Sequence, residues 1–459
     1  MGKFLDTISK KLPKRRRFRL PKFLILILLV TSLAFLGFFG VGKLGADYAM
    51  SKIEPIFLLK DGKFLLLFQN NAEIRSSGGF IGSYAVVDIK NLEIQSLDFN
   101  TNILKLDRSY SEKVQQEGGD LILAPEPLAK FLKNKPWTLR DANYDASFPD
   151  ASQDISKFYN LETGGKVDGI IALNAQVMVD LLKLTGPISL DKYGVTVTAD
   201  NFYDTTQYEI EKDYFQNPEN WVINEPKTFL KDLYPEIISR AFNNKIALAK
   251  LLKKELDQKE VLLNFVDPTK EQIAIEHNWA GKIPANQELK DLFNTADSAD
   301  YLYINSNSYS GDKSSIKMKE SIDYKVTLNE QGNLQAGLKL TRIHTGSYTW
   351  PDGPNDTWIR VLVPEGSLLL NAKLNEQDIR NNVILGTEAE KTFFGYQNFT
   401  NPGQVSILEF NYVLPVKTDA YHLLVQKQPG VIGEQINVYY LGQILYDGIL
   451  DEDKKFCYN

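Results

Sequence analysis

Between about Ile53 and Asn307, short apolar runs alternate with stretches of helical periodicity. "FLLLF" (Phe64–Phe68), "FIGSYAVVDI" (Phe80–Ile89) and "LEIQSLDF" (Leu92–Phe99) read as strands, the last two joined by a hairpin-like Lys90-Asn91. "DASQDISKFYNLETGG" predicts a helix from near Asp150 or Ser152 to Gly164, and "VDGIIAL" (Val167–Leu173) a buried strand. Asn174 is placed to cap a helix over "AQVMVDLLKL", which Gly186-Pro187 would end before a short strand, "ISL". Two amphipathic helices follow, Lys227–Asn244 with Pro235 near a break and Ile246–Lys259, and then strands at "VLLNFV" and "DYLYIN". This alternation indicates an α/β sandwich. Tyr203–Pro226 is rich in aromatic and charged residues and long enough to be an insertion or lid. After about Lys317 the runs shorten, alternate with period two and are separated by Gly, Pro and Asn without helices, the pattern of a β-sandwich.

The N-terminus has a different pattern. Residues 1–22 carry nine cations and one anion, and Phe23–Gly42 carry no charge. About twenty apolar residues span a ~30 Å hydrocarbon core as a helix, and the basic flank stays cytoplasmic, so the chain should run N-in and C-out. A cleaved signal peptide is the alternative; its apolar stretch would be shorter, and "GADYAM" (Gly45–Met50) is a poor cleavage site. The expected organisation is therefore a basic cytoplasmic segment (1–22), a transmembrane helix (23–42), a linker (43–63), an α/β domain (64–312), a β-sandwich (318–450) and a tail (451–459). The lipid bilayer is the partner of residues 23–42. Beyond residue 43 the chain has 42 cations and 57 anions, a balance of −15 that argues against nucleic acid. One cysteine, Cys457, excludes an internal disulfide, and three histidines give neither a zinc spacing nor a Cys/His nucleophile pair.

"NNAEIRSSGGFIGSY", "LRDANYDASFPDA", "GGKVDGIIALNAQVMVDLLKLTGPI" and "KQPG" together resemble the family named domain of unknown function 4012 over roughly Phe64 to Val438. That resemblance implies an anchored extracytoplasmic bacterial protein and brings no activity with it. The layout is also distantly similar to the LytR–CpsA–Psr family. Its members transfer glycopolymers from a polyprenyl-pyrophosphate carrier to peptidoglycan. Arg75-Ser76 matches the opening of that family's R-S-D motif, but Ser77 replaces the aspartate, and "LDFNTN" lacks the arginine and aspartate of its hairpin return. Gly186-Pro187-Ile188 stands where G-G-V would, and no arginine-rich segment follows; Lys212 and Lys227 are the nearest cations.

An arginine beside two glycines at a strand end is chemistry suited to phosphate, a planar fork with backbone that can approach closely. Arg75, Gly78 and Gly79 are therefore the candidate anion or pyrophosphate site, with Arg108, Arg140 and Lys313 as cations that could converge on it. The alternative is a tight turn whose arginine pairs with Glu73 or another carboxylate. "DANYDASFPDAS" begins like a calcium loop but has Ala146 and Ser152 where an EF-hand needs Gly and Glu. Asp141 and Asp145 remain candidates for another divalent-cation site, against helix capping and turn formation. "TWPDGPNDTW" (Thr349–Trp358) offers tryptophans for sugar stacking or for a sandwich core. The expected role is binding or assembly of envelope glycopolymer or its lipid-linked precursor. The alternatives are an active glycopolymer phosphotransferase and a structural or adhesive surface protein; whether the chain is an enzyme is left open.

Overall fold

The computed structural model describes residues 58–223, 225–309, 311–416 and 420–458. The expected transmembrane span, residues 23–42, lies outside them. Among the described residues no helix is long and apolar enough to cross a membrane.

The first unit is a five-stranded sheet. β1 (Gly62–Arg75), β2 (Gly78–Lys90) and β3 (Glu93–Asn100) form an antiparallel meander. β4 (Gly169–Asn174) runs parallel to β1, and β5 (Val261–Phe265) closes the sheet antiparallel to β4. Alternation along β1 explains why both faces are covered. Phe64 and Leu66 point into one apolar layer, and Leu65 and Leu67 into the other. The second layer packs on α1 (Ile103–Gln116) and α2 (Phe148–Thr163). The first packs on α3 (Gln176–Thr185), α4 (Phe202–Tyr208), α5 (Thr228–Ala241) and α6 (Lys245–Asp257). The mixed α/β character expected from the sequence is present.

α2 stops at Gly164, whose φ of 70° is the left-handed conformation that relieves a helix end. Asn174 does not cap α3. It is the last residue of β4, Ala175 holds the cap position without a side-chain bond, and the Asn174 Oδ1 instead accepts the Gly79 N–H at 3.1 Å. Pro235 lies inside α5 rather than at a break. "ISL" pairs with Val195–Val197 in a separate two-stranded ribbon.

The second unit consists of a seven-stranded and a six-stranded sheet around one apolar core. Its boundary differs from the expected one. β6 (Asp300–Ser308), expected in the α/β domain, lies within the six-stranded sheet, antiparallel to Asn355–Pro364 and parallel to Tyr421–Gln426. All nine of its residues are buried. Leu302 and Ile304 face the sandwich core, while Tyr301 and Tyr303 join Ala146, Ile283 and Leu289 of the α/β unit in a seam between the two. A strand covered on both faces looks in sequence like a strand of an α/β sheet. The expected tail is also a strand, Lys454–Tyr458, paired with Tyr421–Val425.

Candidate ligand-binding cavity

The β1–β2 hairpin has two irregularities, one at Phe68/Gln69 opposite Gly82 and one between Asn70 and Ile74. Bulges of this kind re-aim side chains and bend the ladder. Here they separate two environments.

Arg75 enters the seam. It is buried, donates to the Ser308 carbonyl, and lies 3.7 Å from both Glu73 and Asp141, with its guanidinium 4.3 Å from the centre of the Tyr309 ring. The glycines allow close packing. A Cβ on Gly79 would sit 2.2 Å from the Asn70 carbonyl carbon, and one on Gly78, where φ is +127°, 2.3 Å from the Gln69 Oε1. Asn143 Nδ2 donates to the Gly79 carbonyl at 2.8 Å, Gln428 Nε2 to the Arg75 carbonyl at 2.9 Å, and Asn71 Nδ2 to the Gly430 carbonyl at 3.1 Å. Arg360 Nη2 donates to the Ser76 hydroxyl at 2.6 Å. The motifs "NNAEIRSSGG", "LRDANYD" and "KQPG" thus meet in space, around a filled polar seam between domains. Arg75 is a turn-end arginine paired with carboxylates, the second of the two readings its sequence allowed.

The other candidate cations do not gather on Arg75 as an open anion site. Arg140 is half-buried and pairs with Asp141 at 3.1 Å and Asp107 at 3.5 Å. Arg108 is exposed on α1. Lys313 pairs with Glu73 and, at 3.7 Å, with Glu211. Asp141 and Asp145 do not share a cation site. Asp141 faces the two arginines. Asp145 is pushed up to about 7, first by burial and then by Glu388, against the pull of Arg360. No group of three or more His, Cys, Asp or Glu suited to a metal occurs among the described residues. Trp358 is buried against Phe131, so it serves packing; Trp350 carries the Lys212 ammonium 4.0 Å from its ring centre.

On the other side of the bulges lies a cavity of about 540 Å³. Its walls come from β1, β2, β4, α1, α3, α4, α5 and residues 311–317. Phe68, Phe80, Phe202, Phe215, Tyr203 and Tyr234 make it predominantly apolar. Arg108, Lys227 and Lys313 border it; Arg75 does not. Tyr203–Pro226, expected as an insertion or lid, contributes α4, a π-helical turn at Glu209–Asp213 and further helical turns. It is tied to the opposite wall by Asp204 to Lys317 at 3.9 Å and by the Tyr203 hydroxyl, which donates to Asn71 Oδ1 at 2.7 Å.

Two polar groups in this cavity stand out. Lys227 donates to the Gly82 carbonyl at the first bulge and makes no ion pair among the described residues. Burial pushes its pKa down to about 8, with Glu211 acting weakly the other way. Gln69 is 2% exposed, and neither its Nε2 nor its Oε1 has a hydrogen-bond partner. The sequence named Lys227 only as a substitute cation and passed over Gln69. The signal available was one amide directly after the apolar run "FLLLF".

Residues 60–210 match the family model described as protein of unknown function (DUF4012). This segment belongs to that family. The DUF4012 segment runs from β1 to the π-helical turn and holds both bulges, Gln69 and one wall of the cavity, while Lys227 and Lys313 lie beyond it. No curated protein matches the chain. Solved structures overlap it weakly. One is a protein from Legionella pneumophila described as nutrient-binding, with a TM-score of 0.22 and 11% identity over 30% of this chain and 54% of that one. Another is an M1 zinc metallopeptidase from Deinococcus radiodurans, with a TM-score of 0.16 and 12% identity over 35% of this chain and 37% of that one. The chain thus spans about half the length of the first and less of the second. Overlaps this small carry neither fold nor activity across.

Proposed function

We propose that this is a single-pass, membrane-anchored extracytoplasmic protein of the bacterial cell envelope that binds a lipid-linked envelope precursor or helps assemble envelope glycopolymer. The observation that carries the binding role is the apolar cavity behind the β1–β2 bulges. Its ~540 Å³ falls within the ~300–1,000 Å³ typical of small-molecule sites, which are mostly apolar with a few placed polar groups. The compartment is supported by sequence alone, the uncharged span 23–42 behind nine cations. In this reading the bilayer holds the anchor, and the lipid part of a precursor occupies the cavity while its glycan stays outside.

A phosphotransferase of the LytR–CpsA–Psr kind is less well supported. Its arginine would be Arg75, and Arg75 is committed to Ser308, Glu73 and Asp141 on the far side of the bulges. A divalent cation has the same difficulty at Asp141 and Asp145. The test is native mass spectrometry of the detergent-extracted full chain. Co-purified amphiphile on wild type, retained by Arg75→Ala, is expected. A wild-type protein free of bound lipid, or lipid lost with Arg75→Ala alone, overturns the reading. A reporter placed after residue 459 and found in the cytosol overturns the topology.

A further inference from the structure

Resting on that binding role, we infer that the cavity selects a single-chain amphiphile with one acidic head group, held by Lys227 and Gln69 at the Gly82 bulge. A positive charge withdrawn from water is costly unless an opposite charge or several hydrogen bonds compensate it. The other inner cation, Lys313, already has Glu73 and Glu211. Lys227 has one backbone carbonyl. Its ammonium can offer two further protons, and no carboxylate of the described residues takes them as an ion pair.

The position is fixed by the hairpin. Phe68 pairs with Ser83 and Gln69 with Ile81, which leaves Gly82 as the extra residue at that step. A Cβ on Gly82 would stand 2.9 Å from Lys227 Nζ, so the glycine leaves room for the ammonium against the strand. Gln69 belongs to the same step of the ladder and lines the same cavity, with its Oε1 lying against Gly78. Buried amides are nearly always hydrogen-bonded, and this one has no partner for its donor or its acceptor. An acidic group supplies an anionic oxygen for Lys227 and a further oxygen for the Gln69 NH₂. The surrounding Phe68, Met178 and Leu230 and the ring of Tyr234 offer apolar surface to a chain beyond the head. A volume of this size has room for one chain and its head. Carboxylate and phosphate monoester share this chemistry, and the test separates them.

The experiment uses the full chain in nanodiscs of zwitterionic lipid and three diazirine-tagged alkyl probes of equal length: a carboxylate, a phosphate monoester and an alcohol. Crosslinked peptides are mapped by mass spectrometry. One or both acidic probes should label the peptides of α4 and α5 about ten-fold more than the alcohol, as one or two charge-assisted hydrogen bonds require. The better acid identifies the head group. Lys227→Met should reduce acid labelling to the alcohol's level, Lys227→Arg should restore most of it, and Gln69→Leu should reduce it in part. Unchanged melting temperatures separate these losses from unfolding. Equal labelling by all three probes, or acid labelling indifferent to Lys227→Met, overturns the head-group inference and leaves the binding role standing. No labelling by any probe overturns both.

Discussion

Replacing Arg75 by alanine should destabilise the protein without emptying its cavity. The guanidinium lies between Glu73 and Asp141, donates to the Ser308 carbonyl and packs on Tyr309. Breaking a buried ion pair from one side typically costs about 3–5 kcal/mol, because a charge is left uncompensated. Here the loss is smaller, since Glu73 keeps Lys313 and Asp141 keeps Arg140. What remains is the lost hydrogen bond to the Ser308 carbonyl, the contact with the Tyr309 ring and a void, about 2–3 kcal/mol together. For an unfolding unit of 150–250 residues each kcal/mol shifts Tm by roughly 2–4 °C, so Arg75→Ala should melt about 5–10 °C lower. The assay is thermal unfolding of the full chain by near-UV circular dichroism, with bound lipid measured in parallel. An arginine serving a ligand site behaves oppositely: its removal relieves a cluster of like charge, leaves the ligand-free Tm unchanged or higher, and abolishes binding. A shift under about 1 °C with loss of bound lipid would refute the seam role of Arg75.

Gly79→Ala should cost more than ~3 kcal/mol, because the new methyl collides with strand backbone that cannot move aside; a urea midpoint near wild type would show that the hairpin relaxes. Asp145, whose pKa is raised to about 7 against an ordinary unfolded value, binds its proton more tightly when folded. Its contribution to stability is therefore greatest at low pH and is lost as pH rises toward and through 7. Asp145→Asn should flatten that fall, and parallel urea midpoints for the two proteins from pH 5 to 8 would count against it. Burial and then Asp107 push the Glu162 carboxyl well above the ordinary carboxylate range, which favours its protonated form. Glu162→Gln should consequently change stability at pH 7 by less than about 1 kcal/mol, measured by denaturant titration; a loss above about 2 kcal/mol would mean that the carboxylate form matters.

The strands and helix ends set by local chemistry were legible in the sequence. The short apolar runs located β1 to β4, and Gly164 and Gly186 stop α2 and α3 where expected. What misled was long-range recruitment. Asn174 has the composition of a cap, but Gly79, 95 residues earlier, takes its side chain. β6 reads as an α/β strand because a second domain covers its outer face. Arg75 has the composition of a phosphate site, and its fate depends on Ser308, 233 residues away. The cavity was hardest to see, since Gln69 and Lys227 look like an ordinary strand end and helix start until the Gly82 bulge brings them to one wall.

The seam also orders the molecule's assembly in time. The five strands of the first sheet are complete once Phe265 has been synthesised, yet the Arg75 carbonyl and the Asn71 amide find their partners only in Gln428 and Gly430, over 350 residues downstream of each. A nascent chain therefore carries a finished sheet with an unlatched hairpin tip throughout the synthesis of residues 266–428. Each half of the protein is then clamped by a residue belonging to the other, so a cut in the loop between them should leave two fragments that stay together.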